Sequence, residues 1–191
     1  AILMLTPDWI ALDVSAEVFD DEAAINAGMY LAVKWKTGFR MDGGVTATVD
    51  NAIMYGIIDM HFQVVRNGSD TQWALNGGLE GLDILSVFQA DATVIAGPDG
   101  FYFDVAISYG FDVSIISARA DLEGAVWWIR GQQFGSYVEF GVEISLFKGL
   151  FTGGGNFKGA LLVESGDYLI YATASVYVDI LIFTGHTSAW V

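Results

Sequence analysis

From residue 28 onward, apolar and polar side chains alternate with a period of two. In 101–115 the odd positions Phe101, Phe103, Val105, Ile107, Tyr109, Phe111, Val113 and Ile115 are all apolar or aromatic. The even positions Tyr102, Asp104, Ala106, Ser108, Gly110, Asp112 and Ser114 are mostly small or polar. Successive side chains of a strand point to opposite faces, so such a run carries one greasy face and one wet or lightly packed face. Val138, Phe140, Val142, Ile144 and Leu146 repeat the pattern against Glu139, Gly141, Glu143 and Ser145. A third copy places Ile170, Ala172, Ala174, Val176, Val178, Ile180 and Ile182 on one side. Helical periodicity is convincing nowhere in this region.

Polar, glycine-containing segments punctuate the alternation at 37–44 (TGFRMDGG), 66–72 (RNGSDTQ), 97–100 (GPDG), 130–136 (RGQQFGS) and 164–167 (ESGD). These read as turns or loops. The stretches between them are too long for one strand of about 5–6 residues, so each folds back once more through an apolar turn. A repeat marks these hidden reversals. Asp50, Asp83, Asp112, Glu143 and Asp179 each precede an apolar stretch, and a small or polar residue follows six positions on (Gly56, Gln89, Ala118, Gly149, Gly185). The acids recur about every 30 to 35 residues, a hairpin-sized beat. An acid entering a turn accepts local backbone N–H bonds, which an otherwise apolar reversal needs.

The pattern predicts an all-β fold, an antiparallel meander of repeated long hairpins arranged as a sandwich, a rolled sheet or an open barrel. Residues 28–191 form a β domain of about five hairpin repeats. Residues 1–27 form a short irregular or helical N-terminal segment, with acids of Asp20-Asp21-Glu22-Ala23-Ala24 at the start of a helical turn. Leu12-Asp13-Val14-Ser15 equally reads as a worn repeat. The opening AILMLTPDW lacks the basic n-region of an intact signal peptide. No stretch reaches the 18 or more apolar residues of a membrane helix.

Composition sharpens this. Of 191 residues 53% are hydrophobic and only 16% charged, which excludes a disordered chain. A net charge of −15 repels phosphate backbones and argues against nucleic acid as a partner. With no cysteine there is no disulfide framework, thiol catalysis or thiolate metal site. The two histidines, His61 and His186, form no metal-binding pair, and His61 falls on the polar side of its strand. Gly153-Gly154-Gly155-Asn156-Phe157-Lys158-Gly159 lacks the order of a phosphate loop and reads as a flexible hairpin tip. Acids in loops (Asp20, Asp21, Glu22, Asp42, Asp99) leave loop-bound Ca²⁺ as the one cofactor to consider. Asn67-Gly68-Ser69 fits a glycosylation sequon. Trp127-Trp128 puts one indole toward a core and one toward the surface.

Three readings follow, in order. The first is a non-catalytic, self-assembling structural protein of lattice, shell, filament or surface-layer type, extracellular or at the cell surface, whose partner is itself. Its association edge is the terminal segment bearing Ile170, Val176, Val178, Ile180 and Ile182, which contains no Lys, Arg or Pro to guard it. The second is an outer-membrane-type β-barrel. The third is a carbohydrate-binding β-sandwich that stacks sugars on exposed aromatics.

Overall fold

The computed structural model describes residues 1–20, 23–36, 38–180 and 183–190, with the side chains of 18–23 and 181–191 left aside. The elements are β1 (Ile2–Leu5), β2 (Trp9–Asp20), β3 (Ala23–Lys34), β4 (Phe39–Asn51), β5 (Met54–Asn67), β6 (Asp70–Ile84) and β7 (Phe88–Gly97). They continue as β8 (Gly100–Val113), β9 (Ile116–Ile129), β10 (Gln133–Leu146), β11 (Phe151–Glu164), β12 (Asp167–Ile180) and β13 (Phe183–Trp190). The strands neighbour one another in chain order in one 13-stranded antiparallel meander. The predicted all-β hairpin meander is therefore the observed architecture.

The reversals explain why the repeat is visible. Each of the five acids lies near the end of an even-numbered strand, just before the chain turns. The turns are tight and left-handed. Leu85 and Ser86 both have φ of 54°, and Phe147 and Lys148 have φ of 53° and 57°. Ser165 and Gly166 follow suit with φ of 51° and 93°. Left-handed central residues match the right-handed twist of the strands, and the twist pulls even Leu and Phe into a region that costs about 1–2 kcal/mol per residue. At 51–54 the turn acceptor is the Asn51 amide, which takes N–H bonds from Ile53 (2.8 Å) and Met54 (2.7 Å), rather than Asp50.

Three expectations are corrected. Residues 9–34 form a long hairpin with Asp20 in β2 and Ala23–Ala24 in β3, so no helical turn starts there, and 21–22 lie outside the described residues. Of the TGFRMDGG segment, 39–44 belong to β4, which moves Asp42 from a loop into a strand. The glycine run 153–155 is strand interior rather than a hairpin tip, paired on both sides by β10 and β12.

The strands divide by contact into two units: Ala1–Leu85 with Asp91–Tyr102, and Ser86–Ala90 with Phe103 onward. In the first, register aligns Val14, Met29, Val45, Met60 and Gly77 in one cross-strand row, with Leu12, Leu31, Gly43, Phe62 and Leu75 in the next. In the second, the rows are Leu122, Phe140, Phe157, Ala174 and Ala120, Val142, Gly155, Val176. In β9–β12 this face carries no charged residue from end to end. In the first unit Arg66 stands at the rim, where its guanidinium donates to the carbonyl of Gly68 (3.1 Å).

Almost nothing is buried. Among the described residues the buried apolar side chains are Ala90 and Ala125 alone. The accessible surface is 12995 Å², whereas a compact protein of this mass exposes about 8,900 Å². The excess of roughly 4,000 Å² is larger than a standard protein–protein interface. A single sheet layer has no second layer to close a core.

Candidate association surface

The opposite face holds the polar chemistry. In the first unit Asp42 accepts from Arg40 (2.7 Å) and from the Gln63 amide of β5 (2.6 Å). The Arg40 hydrogen bond holds its carboxyl below the usual range. His61 lies on this face, as the alternation predicts, stacked on Tyr30 with ring centroids 6.1 Å apart and Nδ1 3.3 Å from Asn76 Oδ1. In the second unit Glu139 meets Lys158 Nζ (2.8 Å) and the Asn156 amide (3.0 Å), and the Lys158 bond keeps Glu139 below its ordinary pKa. The Tyr177 hydroxyl of β12 donates to Glu143 of β10 at 2.5 Å, reaching across β11 over Gly154. A side chain at 154 would strike the Val142 carbonyl oxygen first and then the Tyr177 phenol, which is why glycine occupies a strand interior here. This bond, then burial, pushes the Tyr177 phenol up to about 12.

These contacts lie within a strand, between neighbouring strands or, for Tyr177 and Glu143, across one strand, at exposed positions where ion pairs contribute little. They do not converge on a reacting centre. Asp112 and Glu143 line one shallow cleft with Arg119, but Arg119 pairs instead with Asp121 (2.8 Å). Asp50 and Asp83 stand at the ends of β4 and β6, and Asp179 opposite Thr152. Among the described residues no three His, Cys, Asp or Glu group to hold a metal. The side chain of His186 lies outside the described residues. Asn67 ends β5 at the exposed turn. Trp127 and Trp128 do point to opposite faces, yet no core receives either: Trp127 lies over Gly135 on the polar face, and Trp128 faces Phe134 on the other.

The uncharged face of the second unit is more informative, and its relief comes from an alternation of large and absent side chains. On β11, Gly153 and Gly155 stand between Phe151 and Phe157. Register puts Ile144 and Val142 of β10 on one side of these glycines, and Val178 and Val176 of β12 on the other. The result is a glycine-floored valley with aliphatic walls about 10 Å apart, two strand spacings. The wall residues are exposed: Ile144 54%, Val176 56%, Val178 52%. The alternation revealed which residues share the face; the valley depends on pairing register, which no local pattern carries.

The predicted edge residues fall elsewhere than expected. β12 is not terminal, because β13 pairs with its residues 173–180. Val176, Val178 and Ile180 are thus wall and face residues beside β13, and Ile170 alone lies on the stretch of β12 that β13 leaves open. Ile182 lies outside the described residues. No helix is long and apolar enough to cross a membrane. No family model, curated protein or solved structure matches the chain.

Proposed function

We propose that the protein is a non-catalytic structural component that self-assembles into an extended β wall, its uncharged face covered by the same face of another copy. The observation that supports this is the face of β9–β12, which carries no charged residue, is relieved into valley and ridge, and leaves its large apolar side chains exposed. Exposed apolar surface of this extent marks an interface, and the aliphatic ridges of β10 and β12 match the valley over β11. The net charge of −15 opposes association, so assembly strengthens as salt screens it. In detergent-free sedimentation over a range of ionic strength, large particles that grow with salt are expected. Val178→Lys places a charge on the valley wall and should leave a monomer. Wild type that stays monomeric at every salt concentration, or a variant that assembles unchanged, would remove the reading.

One observation favours the outer-membrane-type alternative. Aromatics sit at both ends of the uncharged face, with Phe101, Trp128, Phe134 and Tyr168 at one and Phe111, Phe147 and Phe151 at the other, as in barrel girdles. A lipid-facing sheet must have no open edge. Partition into vesicles with no detergent-free particles would favour it.

A further inference from the structure

The chain holds two Asn-Gly pairs, Asn67-Gly68 and Asn76-Gly77, and both lie in the first unit. An Asn followed by Gly is prone to cyclise, because no side chain on the next residue hinders attack of its backbone nitrogen on the Asn amide carbon. Sequence does not distinguish the two pairs, and neither does solvent, since Asn67 and Asn76 are both exposed. The backbone does. We propose that Asn67 is a site of spontaneous deamidation and isoaspartate formation in the folded protein, and that the β5–β6 ladder protects Asn76 from the same reaction.

Asn67 pairs with Asp70 as the last step of that ladder, so Gly68 and Ser69 are the two loop residues of a tight turn. Gly68 has φ of 65°, a conformation that favours glycine, and a Cβ built on it would meet nothing within 4 Å. Its N–H lies beyond the last paired residue, so ionisation of that nitrogen gives up no ladder bond. Arg66 donates from Nε to the Gly68 carbonyl (3.1 Å), which places positive charge beside the nitrogen that must ionise.

Asn76-Gly77 has the same chemistry in the opposite setting. It lies inside β6, where Asn76 pairs with His61 and Gly77 with Met60. A Cβ at Gly77 would collide with the Asp59 carbonyl oxygen and crowd the Met60 backbone, so the neighbouring strand occupies the space that a ring intermediate needs. Asn76 Oδ1 also lies 3.3 Å from His61 Nδ1. To cyclise here, the 76–77 peptide must rotate out of the interior of a paired strand. At Asn67 only the closing pair of a turn opens. Opening costs least at exposed turns and most in paired interiors.

The reaction balances with water alone. The Gly68 nitrogen gives its proton to solvent and attacks Asn67 Cγ. The N–Cγ bond forms, the Cγ–Nδ2 bond breaks, and the amide nitrogen leaves as ammonia after taking a proton from solvent. The resulting succinimide then adds one water. Opening at Cγ gives aspartate in the ordinary chain, and opening at the main-chain carbonyl carbon gives isoaspartate, which lengthens the backbone of the turn. Either product adds a negative charge to a chain that already carries −15.

The test is to age the full chain in mildly alkaline buffer, folded and in denaturant. Chymotrypsin cuts after Trp73, which parts the two sites for mass analysis. In the folded protein Asn67 should convert at least about tenfold faster than Asn76, reflecting the easier opening of a turn. In denaturant the two should convert at similar rates. Equal rates in the folded protein, or an Asn67 that reacts only in denaturant, would overturn the proposal. His61→Ala releases the Asn76 amide but leaves the strand pairing, so Asn76 should stay slow. Conversion of Asn76 at the Asn67 rate in that variant would overturn protection by the ladder. Asn67→Gln should silence the turn site and leave Asn76 as it was.

Discussion

The apolar faces of the two units are built from the same kinds of residue and treat them differently. In the first, Phe62 leans over Gly43 of the adjacent strand, and a Cβ at Gly43 would collide with its ring. In the second, Gly153 faces the same way, yet a Cβ there would meet nothing closer than the Tyr177 carbonyl oxygen at 3.7 Å. One glycine is covered by a neighbouring side chain and the other is left bare. Phe62 is half-buried as a result, while Val178 beside the bare Gly153 stays exposed. A glycine in a strand therefore has two uses that composition does not distinguish: making room for a ring within the sheet, or making room for something outside it.

The sharpest way to break this comparison is to fill both sites. Gly43→Val should destabilise the fold by about 1–3 kcal/mol, since Phe62 must leave its seat. Thermal melting of the variant, with Phe62→Ala in the same background to relieve the clash, checks it; partial recovery is expected. Gly153→Val should act in the opposite direction on the isolated chain, raising its stability by up to about 1 kcal/mol through strand preference, while weakening assembly because the valley is filled. A variant that melts lower and assembles as before would show the valley is not a contact. The smallest effect concerns the polar side. Tyr177→Phe removes the bond to Glu143 at a cost of about 0.5–1.5 kcal/mol. A raised folded pKa means this contribution is full below the ordinary tyrosine value of 10.0 and is lost as pH climbs toward about 12. Ultraviolet titration should show one late-ionising tyrosine that the Phe variant lacks.

Much of the fold was legible because it is written locally. Alternation at 101–115 and 138–146 reports strands directly, and the five acids mark reversals that lack Gly or Pro signals, such as the turn at Leu85 and Ser86. Misreadings arose where a residue answers to a neighbour distant in sequence. Gly154 is glycine because the Val142 carbonyl and the Tyr177 phenol close over it, and Gly43 because Phe62 does; both runs resemble loops to any local rule. Asp20 resembles part of a helix start for the same reason, since it ends β2 opposite Ala23 of β3. The candidate association surface was half legible. Its apolar membership followed from the period of two, but the valley, and the displacement of the edge from β12 to β13, depend on which strand lies beside which.

Strands that neighbour one another strictly in chain order have an evolutionary consequence. Each strand completes its ladder with the strands next to it in the chain, so folding cooperativity passes from neighbour to neighbour as in a linear array. A duplicated or deleted hairpin changes the width of the sheet by two strands and leaves every other register intact. Descent in such a protein would be recorded as gains and losses of whole hairpins.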